Sequence, residues 1–452
     1  MRFQIKKETL ASLNIEIPSE LEGLDVCTDS RSLKPGEVFL PLKGEKFDGH
    51  DFIENIEEPE SLGVIISSSC TVDTSRFQFT IVVDDTLNFL QSAATTYRRS
   101  LEETVFVGLT GSNGKTTTKE MLKNIFEVIV PGKVHSTLGN LNNHFGVPVT
   151  LLRTKPESKV AVIEMGTNAP GEIERLSQIC EPDIGVITNI GHAHLEKLKD
   201  LDGVFEEKTA LYRFVKNNSD KKHRFIKNSD DGKLAKISDG EEVLSVSKNS
   251  GDLIFKQLED ETLEVNLGGK FKTKLRKLSD PILMDLMLAL GASYSVYPEQ
   301  LSRVIENLDA CIPTTKNRGE WITWKNNKVF LDAYNANPDS MKASLSGFFQ
   351  KLDKNTKPIL VLGDMYELGD NAEKLHKDIT EELNKVPVKN FFFVGQHSND
   401  YLSGLNDENK SRAKVFHNAE SLKEYLNLNL SGDECLFVKG SRGVQLEKIL
   451  EE

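Results

Sequence analysis

The residues best suited to chemistry lie in one short run, Thr110-Gly111-Ser112-Asn113-Gly114-Lys115-Thr116-Thr117. Its glycines let consecutive backbone N–H groups close around phosphate oxygens, and the positive end of a following helix points at the same spot. Lys115 has the reach for β- and γ-phosphates, and the Thr116 hydroxyl suits Mg²⁺. The common phosphate-binding loop carries a glycine five residues before the Gly of Gly-Lys-Thr; Leu109 stands there in this chain, so the loop is a shorter variant. The run reads as a nucleoside-triphosphate site.

Such a loop needs a strand before it and a helix after it. The apolar, β-branched run ending at Leu109 supplies the strand, and a helical pattern begins at Thr116. From about 100 to 312, strand-like runs at 104–109, 160–163 and 184–188 alternate with helical ones, which predicts a mostly parallel sheet. Ligands of such sheets sit at the carboxyl ends of the strands. Three polar segments fall there: 140–148, which includes Asn143; Glu164-Met165-Gly166; and 189–196, which includes His192 and His194. Glu164, just past a buried strand, is placed for Mg²⁺; its alternative is a helix-capping acid. The two histidines have no third ligand at zinc spacing, so one imidazole near Mg²⁺ or a phosphate is the better reading. A helix over 200–212 carries Glu206, Glu207 and Lys208, and nothing local singles out Lys208. Residues 216–276 read as a small, mostly exposed β insertion. The apolar run 281–297, interrupted by Asp285, is too short and polar to span a bilayer and reads as a buried core helix.

The stretches on either side are also α/β. Residues 1–98 hold strand-like runs at 38–42, 64–66 and 81–83. Ser30, Arg31 and Lys43 sit among turn residues and could hold a phosphorylated ligand, or merely line two solvated turns. Near 312, after a linker at 311–317, the pattern restarts with strands at 329–331, 359–362, 391–394 and 435–438. Three of these end in polar clusters that contain Asp332 and Asn335, Asp364 and Glu367, and Lys439, Ser441 and Arg442. The expected fold class is therefore α/β in three domains: 1–98, small and ligand-binding; 99–312, built around the phosphate loop; and 313–452, Rossmann-like. The net charge of -13 with no basic stripe argues against nucleic acid. Five scattered cysteines and no apolar leader predict free thiols in a reducing cytoplasm, with no membrane span.

Several separated motifs, in order, give the chain a resemblance. Thr110 to Thr117, Gly139-Asn140-Leu141-Asn142-Asn143, Glu164-Met165-Gly166, 189–195, Asp332-Ala333-Tyr334-Asn335-Ala336-Asn337-Pro338, Gly363-Asp364-Met365-Tyr366-Glu367-Leu368-Gly369 and Val438-Lys439-Gly440-Ser441-Arg442 together resemble the Mur ligases, ATP-dependent amide ligases of bacterial cell-wall synthesis. The resemblance covers nearly the whole chain. It implies a first domain for the UDP-muramoyl substrate (Ser30, Arg31, Lys43), a central one for ATP, and a last one that closes over both. It implies ATP and two Mg²⁺ ions as cofactors, with UDP-N-acetylmuramoyl-tripeptide and D-alanyl-D-alanine as substrates, on a cytoplasmic monomer. Lys208, in Lys208-Thr209-Ala210-Leu211-Tyr212, matches a lysine that is carbamylated by CO₂ and then ligates Mg²⁺. The implied roles follow. Thr110 to Thr117, Asn143, Arg318, Asp332 and Asn335 bind ATP. Thr116, Glu164, His194 and carbamylated Lys208 hold metal. Lys115, Glu164, His194, Lys208 and Arg318 are catalytic, and Asp364, Glu367, Lys439, Ser441 and Arg442 touch substrate. Many relatives open the apolar helix with His-Asn-x-x-Asn, where this chain has Pro281-Ile282-Leu283-Met284-Asp285, and they carry Pro-Gly-Arg where it has Lys316-Asn317-Arg318. Competing readings are a sibling ligase that adds the third amino acid, a folylpolyglutamate synthase, and a nucleotide-switch NTPase.

Overall fold

The computed structural model describes residues 1–44, 47–218, 224–313, 318–353, 355–430 and 432–451. Three sheets follow one another along the chain. The first joins β1 (Arg2–Lys6), β2 (Gly23–Cys27), β3 (Val38–Phe39), β4 (Gly63–Ser67) and β5 (Phe79–Val83) in sequence order. The second contains β6 (Val105–Thr110), β7 (Val134–Ser136), β8 (Val160–Glu164), β9 (Ile184–Ile187), β10 (Phe225–Asn228), β11 (Val243–Ser247), β12 (Leu253–Gln257), β13 (Thr262–Asn266) and β14 (Lys270–Lys274). The third contains β15 (Glu320–Trp324), β16 (Asn327–Asp332), β17 (Ile359–Gly363), β18 (Asn390–Val394), β19 (Ala413–Phe416) and β20 (Cys435–Lys439).

The central sheet runs β14-β13-β12-β11-β10-β9-β6-β8-β7 and is parallel from β7 through β12. β6 lies between β8 and β9, so the chain leaves it to one side and later returns on the other. That divergence opens a crevice at its carboxyl end, where the glycine loop begins. β8 is buried along its whole length, Val160 through Glu164, as a strand covered on both faces must be. The apolar helix Asp280–Val296 and the loop helix Lys115–Ile129 pack together on one face, and Leu286, Met287, Leu288 and Leu290 have no solvent exposure. Among the described residues, no helix is long and apolar enough to cross a membrane.

Several expectations need correction. The described residues of 216–276 are not a separate exposed insertion: β10 and β11 are buried throughout and extend the central sheet, while β14 at its edge lies open to solvent. Polar composition hid this, because the chain buries Lys227 by donating its Nζ to Ile237 O at 2.5 Å and pairing it with Asp239. The loop helix starts at Lys115 rather than Thr116. The helix over 200–212 is two, Leu201–Lys208 and Ala210–Asn218, the first capped by Asp200. The run 38–42 is a strand only at Val38–Phe39. Strands β1, β2, β7, β15 and β19 were not foreseen. The helix Thr86–Ser100 runs across position 98. Of the expected linker, 314–317 lie outside the described residues.

Candidate functional site

The glycine loop takes its shape from two positive-φ glycines. Gly111 (φ 153°) passes so close to β9 that a Cβ there would meet Thr188 Oγ1 at 1.8 Å. Gly114 (φ 81°) opens the loop helix, and a Cβ there would meet the Asp285 carboxylate at 2.5 Å. The segment after β9 braces the loop from the side. Asn113 N donates to Asn189 Oδ1 at 2.9 Å, Asn189 Nδ2 donates to Asn113 O at 3.0 Å, and Gly191 N donates to Ser112 Oγ at 2.9 Å. Lys115 Nζ folds back onto Gly111 O at 2.6 Å. Burial pulls its pKa down, with Glu164 opposing.

Several segments converge on that loop. Thr116 Oγ1 donates to Glu164 Oε1 at 3.3 Å, and Asn142 Nδ2 donates to the same oxygen at 2.9 Å. Glu164 Oε2 is buried and has no partner. Lys208, at the end of its helix, is fully buried and its Nζ is likewise without a partner. Burial first, and then the charge of Lys115, drive its pKa well below the ordinary lysine value. Arg318, entering the last sheet, lays its guanidinium 3.7 Å from the centre of the Tyr334 ring and donates to Thr116 Oγ1 at 3.2 Å. His194, in the left-handed region at φ 56°, pairs through Nδ1 with Glu367, itself at φ 63°. The hydrogen bond from His194 holds the Glu367 carboxyl below its usual range. Glu367 O also accepts from Glu196 N at 3.0 Å.

Other candidates sit differently. Lys439 Nζ donates to Asp332 Oδ2 at 2.7 Å and to Asn335 O at 3.0 Å, so both strand ends are tied internally while the Asn335 side chain stays exposed. Asp364 is buried, and its two oxygens accept from Gln396 N and His397 N. Ser441 Oγ accepts from Tyr366 N at 2.9 Å. Asp364, Lys439 and Ser441 are thus buried and hydrogen-bonded within the last unit. Arg442 is exposed and pairs with Glu447. Asn143 Oδ1 accepts from Gly146 N at 2.9 Å in the turn that leads into the helix Gly146–Leu152, while its neighbour Asn142 reaches Glu164. In the first unit Arg31 pairs with Asp29, and Lys43 with Asp48; Ser30 opens a short turn. Sequence reasoning missed Asn142, Asn189, Tyr334 and Asp339. Asn142, Asn189 and Tyr334 lie in polar strand-end segments without being singled out there, and the Asn337-Pro338 pair carries the signal of a helix start.

Comparison with known proteins agrees with this geometry. Residues 109–287 match the Mur ligase middle domain, 317–442 the Mur ligase glutamate ligase domain, and 25–75 the Mur ligase family catalytic domain. The UDP-N-acetylmuramoyl-tripeptide–D-alanyl-D-alanine ligase of Bacillus subtilis is 34% identical across 99% of this chain and 96% of its own length.

The chain belongs to the Mur ligase family.

The Escherichia coli ligase of the same name is 29% identical over 98% of this chain and 97% of its own. A MurF crystal structure from Acinetobacter baumannii superposes with a TM-score of 0.84 at 26% identity, covering 99% of this chain and 98% of that one. MurF from Thermotoga maritima, crystallised with ADP, gives 0.77 at 25% identity over 94% and 96% of the two chains.

The cation that a Mur ligase site implies can be tested against these residues. Among the described residues, no group of three or more His, Cys, Asp or Glu is arranged to hold a metal by itself. A hard cation would draw on the Thr116 hydroxyl, the free Glu164 oxygen and phosphate oxygens, a set that suits Mg²⁺. The unpartnered Lys208 amine fits only once it has become an anion.

Proposed function

We propose that this Mur ligase joins D-alanyl-D-alanine to UDP-N-acetylmuramoyl-tripeptide, using ATP, in the cytoplasm and as a monomer. Units of 1–98, 99–312 and 313–452 bind the UDP-muramoyl substrate, ATP, and the incoming dipeptide. A carboxylate does not condense with an amine in water without activation. Its oxygen attacks the γ-phosphorus, ADP leaves, and an acyl phosphate forms. The dipeptide's free amine then adds to the acyl carbon, loses its proton, and the tetrahedral intermediate expels phosphate.

The protein's work is positioning and charge neutralisation. Lys115 leaves the carbonyl of Gly111 to meet the β- and γ-phosphates, which take its hydrogen bonds in exchange. Thr116 and Glu164 would hold one Mg²⁺, and His194 with a carbamylated Lys208 would hold a second. Bound there, Mg²⁺ would neutralise the phosphate oxygens and align them with the carboxylate. The buried Lys208 amine, whose pKa burial drives down, can bond in its unprotonated form to the carbon of CO₂ and release a proton, which leaves a carbamate whose two oxygens share one negative charge where an ammonium would repel the cation. Arg318, held flat by Tyr334, supplies positive charge over Thr116 from the last unit. Asp332 and Asn335 border the nucleotide, and Glu367 backs His194.

The observation that carries the reading is the fully buried, unpartnered Lys208 amine within electrostatic reach of the loop lysine. A nucleotide switch has no use for such a group. The test is phosphate release from ATP, assayed with tripeptides that end in diaminopimelate or lysine. Release that requires both tripeptide and D-alanyl-D-alanine supports the ligase. Release without an acceptor supports an NTPase, and release driven by a single amino acid a sibling ligase.

A further inference from the structure

The helix Pro338–Gln350, which follows β16, begins with an asparagine that does more than cap it. Asn337 Oδ1 accepts from Ser340 N at 2.9 Å, and Ser340 Oγ accepts from Asn337 N at 3.0 Å, a reciprocal cap. That cap needs only a side-chain acceptor, and serine or aspartate would serve. The amide nitrogen of Asn337 is left over. It crosses to the central unit and donates to Asn113 Oδ1 at 2.8 Å, and Asn113 Nδ2 lies 3.4 Å from Asn337 Oδ1. Asn337 is almost fully buried.

Two residues on, Asp339 grips the neighbouring segment. Its Oδ2 accepts from His192 N at 2.6 Å and lies 3.0 Å from His192 Nδ1. This approach depends on Gly191, where a Cβ would stand 2.5 Å from Asp339 Oδ2. One helical turn of the last unit thus holds both segments that bound the phosphate site. Asn113 is a good lever, since its own main chain is fixed to Asn189 and Thr188.

We infer that Asn337 is a positioning residue that couples the phosphate loop to closure of the last unit, with Asp339 as its second arm. A nucleotide that reorders the loop backbone moves Asn113 Oδ1, and Asn337 carries that movement into the helix. The dipeptide site then assembles on a loop that already holds its phosphates. This inference rests on the ligase reading for its kinetic consequence, though not for the contact itself.

Asn337→Asp isolates the coupling. The carboxylate still caps Ser340 N, but it has no N–H for Asn113 and sets oxygen against oxygen. Three measurements on the whole chain apply: the thermal midpoint, the radius of gyration by X-ray scattering with Mg²⁺ and ADP, and steady-state kinetics. The expected result is a midpoint lowered by no more than a few degrees, a larger radius with nucleotide, and a KM for D-alanyl-D-alanine raised on the order of tenfold, with kcat at saturating dipeptide changed much less. Gly191→Ala, which pushes Asp339 away from the opposite side, should loosen the nucleotide-bound form in the same way. If both variants compact like the parent and keep its dipeptide KM, the coupling is wrong. A parent with no dipeptide-dependent phosphate release would instead overturn the ligase reading, and the scattering comparison would still decide the contact.

Discussion

Replacing Lys208 should move stability and activity in opposite directions. Its amine is fully buried without a hydrogen-bond partner. Leaving such a group unsatisfied costs about 1–3 kcal/mol. In CO₂-free buffer, Lys208→Met keeps most of the side-chain volume and removes that cost, so the central unit should melt a few degrees higher than the parent. The pH dependence has a definite sign. Because the folded pKa lies well below the ordinary 10.5, the unfolded chain binds the extra proton across the window between the two values. The parent therefore gains stability as pH rises through that window, and the advantage of Lys208→Met shrinks toward pH 10.5. Activity should fall by about 10²–10³, the scale of losing one charge-stabilising group in a dry site. Bicarbonate supplies CO₂, so it should raise both the melting temperature and the turnover of the parent while leaving Lys208→Met unchanged. Differential scanning fluorimetry and phosphate release at matched bicarbonate levels make the comparison. A Lys208→Met protein that melts lower and turns over normally, or a parent indifferent to bicarbonate, would refute the reasoning.

Lys115→Ala should lower acceptor-dependent phosphate release by about 10²–10³, roughly 3 kcal/mol or more of transition-state stabilisation; near-normal release would remove the loop from the mechanism. Asn142→Ala frees Glu164 Oε1 from its 2.9 Å donor, and the Mg²⁺ concentration for half-maximal rate should rise several-fold with little change in melting temperature. His376 accepts from Met365 N at 2.9 Å and its pKa is pushed down to about 4 by burial, so its contribution to stability is present above the unfolded value of 6.5 and lost as pH falls toward about 4. That contribution is at most about 3 kcal/mol, and pH-dependent denaturant melts of His376→Gln should lack it.

Much of the architecture was legible because buried parallel strands write their pattern locally. The runs leading to Thr110, Glu164 and Ile187 are nearly continuous apolar segments ended by polar residues, and each became a neighbouring strand. The chain between 216 and 276 was misread because β10 and β11 carry lysine, asparagine and serine into a buried sheet, where partners distant in sequence satisfy them. The glycine loop could be read from spacing alone, since its function depends on backbone shape. The contacts of Asn142, Asn189 and Asn337 could not, because each depends on a chain segment 22 to 224 residues away. The polar clusters that end β17 and β20 mark the correct end of the sheet, yet burial turns Asp364 and Ser441 inward, and only the folded structure reveals which way they face.

The central claim is that a peptide carboxylate takes the γ-phosphoryl group before the amine arrives. Labelling the terminal carboxylate of the UDP-muramoyl-tripeptide with ¹⁸O and analysing the released phosphate by mass spectrometry tests it directly. Transfer of one ¹⁸O into each phosphate, in step with amide formed, is the expected result. Phosphate that carries oxygen from water alone would mean that ATP is hydrolysed rather than spent on the carboxylate, and would contradict the account.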